Sequence, residues 1–208
     1  MAKHGGGGGS NGKKYGGGCC GFIVLAGFVV LIYWAIFQPH HIRATVGSAT
    51  LSNLTVASNA EVSYSLAVTL SLYNPSVRVN IYYDTIDATL RFRDAVLGPA
   101  ANGTSPSEFY QRRKTADDVE LQFDYGRGPG GVAVAAVAAA ELEKEMKGGG
   151  PVSLGLDVDV RVRYVFRIFK LRQKPRIWCA LSIPLTAEGQ GPGVGGAVAS
   201  GDPCWVKY

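Results

Sequence analysis

Histidine is scarce in this chain, with three residues in 208: His4, His40 and His41. None lies beyond residue 41, so no Ser-His-Asp or Cys-His nucleophile system can be assembled from the rest. His40 and His41 are adjacent and lack further ligands, which makes a poor metal site. Cysteine is sparse too, with four residues in two pairs, Cys19/Cys20 and Cys179/Cys204. A phosphate loop is missing its last member. Gly7, Gly12 and Lys13 have the spacing, but Lys14 stands where Ser or Thr is needed and no strand precedes it. A large charge excess is also missing from the main body. The formal net charge is +5, yet Lys3, Lys13 and Lys14 precede residue 19. Beyond them, 18 Lys/Arg face 16 Asp/Glu. That near-balance argues against a nucleic-acid partner.

One stretch lacks polarity altogether. Residues 19–37 read CCGFIVLAGFVVLIYWAIF, without charge, proline or amide. As a helix, such a run is about 28 Å long, close to the ~30 Å hydrocarbon core of a bilayer. A cleaved secretory segment is shorter and ends in small residues. Here the end is Tyr33-Trp34-Ala35-Ile36-Phe37-Gln38-Pro39, whose aromatics suit a membrane interface. The expectation is an uncleaved anchor at 19–37 with the lipid bilayer as its partner. Three lysines lie on its N-terminal side, against Arg43 alone before Arg78 on the other. The positive-inside rule then keeps residues 1–18 cytosolic and exports residues 38–208. The Gly/Lys-rich stretch 1–18 has nothing to pack and is expected to be disordered.

This topology frames the modification sites. Cys19 and Cys20 sit at the cytosolic edge of the anchor, a position suited to S-palmitoylation or simply to apolar helix ends. Cys179 and Cys204 fall in the exported part, where an even count suggests one disulfide. Its loop of roughly 25 residues is worth on the order of 3 kcal/mol in the chain-entropy account. Asn53-Leu54-Thr55 and Asn102-Gly103-Thr104 are N-glycosylation sequons. Asn102 lies in the loop-like GPAANGTSPS and is the better acceptor.

The body alternates with period 2. Val62, Tyr64, Leu66, Val68, Leu70 and Leu72 form one stripe, stopped by Asn74-Pro75. Others run from Ile86 to Phe92, Val119 to Tyr125, Leu154 to Ile168 and Ile177 to Leu185. Many such strands with turns between them predict an antiparallel β-sandwich. GVAVAAVAAAELEKEMKGGG, over 131–150, predicts a helix of about four turns ended by glycine, closing one end of the sandwich. Asp117/Asp118 and Asp157/Asp159 read as turn and solvated strand residues. The basic run Arg161, Arg163, Arg167, Lys170, Arg172, Lys174 and Arg176 reads first as a wet strand face, and second as a polyanion or lipid-headgroup site.

The order of motifs resembles a known family. A short tail, an anchor, NPSVRVNIYYD (74–84), EFYQRRKT (108–115), LDVDVRVRYVFRIFK, KPRIWCALSIPL and a last cysteine are similar to the plant harpin-induced / non-race-specific-disease-resistance-like proteins. Their exported domain is of the late-embryogenesis-abundant group 2 class. The resemblance assigns family-motif positions to Asn74, Pro75, Tyr82, Tyr83, Asp84, Phe109, Tyr110 and Gln111. It implies a mainly β fold: an immunoglobulin/fibronectin type III-like sandwich with one added α-helix, behind a single transmembrane helix. It also implies a plasma-membrane protein of pathogen defence and stress, without enzymatic activity or cofactor. Its exported domain would meet other proteins or cell-wall components. The alternative is a lipid-binding or membrane-protecting stress module, which needs an apolar groove between the sheets. Two departures from the family pattern stand out: Ser76 in place of a second asparagine, and Cys204-Trp205-Val206-Lys207 in place of Cys-Asp-Val-Asp. From the residues alone, Asn74 can close an Asx turn, and Tyr82 and Tyr83 must point to opposite faces.

Overall fold

The computed structural model describes residues 14–37, with side chains there for 21–32 only, and 41–101, 108–126, 131–165, 170–187, 194–199 and 201–208. The chain divides into two compact units, Met1–Pro39 and His40–Tyr208. The first contains α1 (Lys14–Phe37). From Phe22 to Ile32 its large apolar side chains expose 44–73 % of their surface. The described part thus has an apolar surface all round and no polar face to turn to water. Among the described residues, no helix is long and apolar enough to cross a membrane. The expected span 19–37 reaches past those side chains at both ends, and the side chains of Cys19 and Cys20 lie outside them.

The second unit is mainly β. In chain order its strands are β1 (Arg43–Val56), β2 (Glu61–Tyr73), β3 (Asn80–Phe92), β4 (Ala95–Pro99), β5 (Phe109–Gln111), β6 (Ala116–Asp124), β7 (Val132–Ala133), β8 (Pro151–Val165), β9 (Lys170–Gln173), β10 (Arg176–Pro184), β11 (Thr186–Ala187), β12 (Val194–Val198) and β13 (Trp205–Lys207). One sheet has the order β11-β12-β1-β2-β6, with β7 on β2. The other has the order β13-β10-β8-β3-β4, with β5 on β3 and β9 on β8. Every pairing between these strands is antiparallel.

The period-2 stripes face inward. Val62 through Leu72 in β2 are 0–1 % exposed, and Val152 through Tyr164 in β8 are 0–4 % exposed at alternate positions. Both join Ile177, Cys179, Leu181 and Ile183 of β10 in one core cluster. Each such aliphatic side chain contributes about 1.5–3 kcal/mol on burial, whereas an exposed ion pair gives about 0–1 kcal/mol. Stripe packing, not the charged outer face, therefore holds the sheets together. Tyr125 and Leu185 are only half-buried, because they fall one residue past the ends of β6 and β10. Phe166 and Ile168 lie outside the described residues.

The alanine-rich segment departs from expectation at its start. Val132 and Ala133 pair with β2 as β7, with Glu61 opposite Ala133. Helix α2 then covers only Ala136–Lys147, 12 residues, or about three turns rather than four. Val132 and Val134 pack on the core, so sheet pairing and burial override alanine's helix preference there. The helix buries Ala139 and Leu142, and the Gly148 N–H donates to the Lys144 and Glu145 carbonyls at its end. It packs on β8 and β1, one strand from each sheet. Arg93 ties it to the β3–β4 turn through Glu141 and Glu145.

Candidate functional site

The motif residues gather at one end of the sandwich, where the turn after β2 meets β3 and β5. Proline cannot continue the ladder, so β2 stops at Tyr73 and the chain turns through Asn74-Pro75-Ser76. Asn74 is fully buried, and its polar groups are all used. The Asn74 Oδ1 accepts from the Ser76 N–H at 3.0 Å, closing the Asx turn. The Nδ2 donates to the Val79 carbonyl at 3.0 Å and the Arg112 carbonyl at 3.2 Å. The backbone of Asn74 exchanges bonds with Thr115 and Lys114. Ser76 Oγ accepts from the Val79 N–H at 3.1 Å. One asparagine thus joins the β2–β3 turn to the segment between β5 and β6.

Strand β5 carries the second half. It pairs with β3, setting Gln111 opposite Ile81, Tyr110 opposite Tyr82 and Phe109 opposite Tyr83. Strand alternation then sorts the residues. Inside, Tyr83 stacks on Phe109 with ring centroids 4.3 Å apart and planes 6° from parallel. The Tyr83 hydroxyl donates to Gln111 Oε1 at 2.9 Å. Gln111 Nε2 donates to the Leu72 carbonyl at 2.7 Å. Tyr83 and Gln111 are 1 % and 0 % exposed, so this network is dry. Tyr164 and Tyr208 share a hydroxyl–hydroxyl bond of 3.1 Å, and Tyr208 Oη accepts from the Ile42 N–H at 2.7 Å. Burial pushes the phenols of Tyr83, Tyr164 and Tyr208 above the ordinary range, since a buried phenolate would lose its hydration.

Outside, Tyr82 and Asp84 meet Arg163, with Tyr110 beside Tyr82. The β3–β8 register shifts between Tyr83 and Thr85, so Asp84 sits in a β-bulge. The Arg163 guanidinium lies 4.6 Å from the Tyr82 ring centroid, and its Nε donates to Asp84 Oδ1 at 2.6 Å. The Asp84 hydrogen bond pushes Arg163 further above its ordinary value. The Tyr82 hydroxyl donates to Glu108 at 3.2 Å. Tyr110 is 48 % exposed and stands 6.3 Å from Tyr82, ring to ring. Two shallow grooves of about 400 Å³ adjoin this face, lined among others by Glu108, Arg163, Lys170 and Arg172. The surface can hold a partner through aromatic contact and paired charges. Among the described residues, no three His, Cys, Asp or Glu side chains are placed to hold a metal ion.

The other sequence-predicted residues lie apart from this site. Cys179 and Cys204 are joined, with S–S 2.03 Å and Cα–Cα 4.5 Å. Asn53 is exposed at a bulge in β1 with φ 54°. Asn102 lies outside the described residues, as does Arg167. Asp157 and Asp159 are each ion-paired, to Arg91 and Arg176. Sequence reasoning missed Arg163 as the partner of Asp84, and the hydroxyl bond between Tyr164 and Tyr208. The signal available was the basic residue opposite a tyrosine on a long strand, but register cannot be read from one strand alone.

The late embryogenesis abundant protein family model matches residues 69–177, which contain the turn, β5 and all of β8. NDR1/HIN1-like protein 3 of Arabidopsis thaliana is 29% identical over 166 residues, covering 79% of this chain and 69% of that protein. NDR1/HIN1-like proteins 2 and 10 of the same plant are 33% and 32% identical over 40% and 44% of this chain. Those two matches span only 33% and 39% of the relatives' own lengths. A crystal structure of a protein from Archaeoglobus fulgidus superposes with TM-score 0.30 and 9% identity, covering 71% of this chain and 98% of that one, too distant a likeness to build on. With its family model spanning more than half its length and these relatives named NDR1/HIN1-like, the chain belongs to the late embryogenesis abundant family.

Proposed function

We propose that the chain is a non-catalytic, membrane-anchored protein of plant defence and stress response that acts through an exported β-sandwich. The observation that carries this reading is the match to NDR1/HIN1-like protein 3 along 79% of the chain. The apolar run 19–37 serves as the anchor, with residues 1–18 cytosolic and 38–208 outside the plasma membrane. Three lysines before the run and an oxidised Cys179–Cys204 pair support that orientation. The strand order supports the immunoglobulin/fibronectin type III-like reading. Strands β1-β2-β6 take the places of A, B and E, and β3-β8-β10 those of C, F and G. The partners are other proteins or cell-wall components, met through the outer face at Tyr82, Tyr110 and Arg163. A lipid-carrying module needs an apolar groove between the sheets. The inner faces instead pack into a single cluster of buried side chains, which favours the first reading.

The test is thiol labelling of the full-length protein from plant membranes with a mass-tagged maleimide, under denaturing conditions, before and after reduction. Two thiols that appear only after reduction, and are lost in Cys179→Ser, are expected. Tags on Cys179 and Cys204 without reduction would overturn export. Release of the protein by alkaline carbonate washing would overturn the anchor.

A further inference from the structure

Two tryptophans stand on the outer face of the β13-β10-β8-β3-β4 sheet, away from the motif residues. Trp178 of β10 and Trp205 of β13 are directly opposite each other across the strand pair. They are 49 % and 79 % exposed. Large apolar surface of this kind is uneconomical unless something covers it. The ring of Trp178 leans over Gly155 of β8 at van der Waals distance. A Cβ at Gly155 would lie 3.5 Å from the indole Nε1. Charged side chains border the rings on the same face. Arg91 Nε pairs with Asp157 at 2.8 Å, and Arg176 Nε pairs with Asp159 at 2.9 Å. Together with Lys207 these residues line a groove of about 520 Å³.

We propose that this face binds a neutral oligosaccharide of pyranose units, stacked on Trp178 and Trp205 and hydrogen-bonded by Arg91, Asp157, Asp159 and Arg176. A pyranose ring has an apolar C–H face, which meets the electron-rich face of an indole, and a rim of hydroxyls that both donate and accept. The groove offers carboxylates as acceptors and guanidinium groups as donors at its edge, already oriented by their ion pairs. Its charges nearly cancel, as a neutral ligand requires. Its volume suits a small ligand, whereas a stable protein partner needs about 800 Å² of each surface. The same near-balance, Arg91, Arg176 and Lys207 against Asp157 and Asp159, gives an anionic lipid surface little net attraction.

The disulfide belongs to this site. Cys179 follows Trp178 and Cys204 precedes Trp205, and the Cys179 side chain is buried in the core while both indoles face out. Strand β13 is only three residues long and, among the described strands, pairs with β10 at the edge of its sheet. The Cys179–Cys204 bond reinforces the placement of Trp205 across from Trp178, beside the ladder pairing and the Cys204 N–H bond to the Ala44 carbonyl.

This names a ligand for the domain described under the proposed function. Binding in micelles does not depend on membrane topology, so the two readings fail separately. The experiment titrates the full-length chain, in a detergent without a sugar headgroup, with cellohexaose, mannohexaose and maltohexaose. Binding is read by tryptophan fluorescence and calorimetry. Saturable binding of at least one hexasaccharide is expected. Trp178→Ala and Trp205→Ala should each weaken it at least tenfold, and so should Cys179→Ser. Trp205→Phe keeps a stacking ring and should stay within about threefold. If an alanine variant fails to fold, Asp157→Asn with Asp159→Asn reads the same site and should weaken binding at least threefold. Three results would overturn the proposal: no saturable response to any of the three sugars, binding that survives both Trp→Ala changes, or Trp-dependent binding of phosphatidylglycerol vesicles without sugar binding.

Discussion

Tyr82 and Tyr83 are neighbours in β3, and they meet opposite environments. Tyr83 is buried, stacked on Phe109 and bonded to Gln111. Tyr82 lies at the surface under the Arg163 guanidinium. The same contrast separates two regions of the sandwich. Around Asn74 and Gln111, polar atoms are buried and paired, so removing one partner strands another. Around Trp178 and Trp205, apolar rings are exposed and the charged groups reach water. The first region is built to hold the chain in place, the second to be covered. A family motif therefore need not mark a binding surface: half of this one is interior scaffold.

Substitutions can break this comparison, starting from the scaffold. Asn74→Ala orphans the Val79 and Arg112 carbonyls and the Ser76 N–H, and should cost about 3 kcal/mol or more. Denaturant unfolding of the full-length protein in detergent reads it; a loss under about 1 kcal/mol would mean that the turn holds without its asparagine. Cys179→Ser should cost on the order of 3 kcal/mol, since the closed segment spans 25 residues. A smaller effect would mean that strand pairing and the flanking bonds of Cys204 and Tyr208 hold β13 without the disulfide.

The tyrosine pair sharpens the contrast at finer scale. Tyr83→Phe leaves Gln111 Oε1 without its buried donor and should cost about 1–3 kcal/mol. Tyr82→Phe should change stability by less than about 0.5 kcal/mol, because water replaces its bond to Glu108. Equal effects would erase the distinction between the two faces.

Alkaline titration tests the buried phenols together. Burial raises Tyr64, Tyr83 and Tyr164 in the folded state. The unfolded chain then releases these protons first, near pH 10, while the folded chain retains them. The unfolded state binds fewer protons above that pH, so stability should be level below about pH 10 and fall as pH rises beyond it. A melting temperature unchanged between pH 9 and pH 11 would contradict this. The smallest effect belongs to the outer face. Arg176→Ala breaks an ion pair whose side chains are 77% and 62% exposed, and should shift stability by no more than about 0.5 kcal/mol.

The period-2 stripes were legible in the sequence because burial on one side of a strand repeats every second residue, whatever the partner strand. Val62 to Leu72 and Leu154 to Tyr164 needed no structure to be placed inside. The Asx turn at Asn74 was legible for a similar reason, being local geometry within three residues. The start of α2 was misread because alanine's helix preference is weak beside the pairing of Val132 and Ala133 with a distant strand.

The sequence by itself determined the alternation, the turn, the lack of histidine chemistry in the body and the apolar run near the start. Each is a property of residues a few positions apart. Only the tertiary structure decided that Asp84 meets Arg163, that Gln111 receives the Tyr83 hydroxyl, and that Trp178 faces Trp205. Those pairs are 79, 28 and 27 residues apart in sequence. They depend on strand order and register, which are set by packing of the whole core rather than by any one segment.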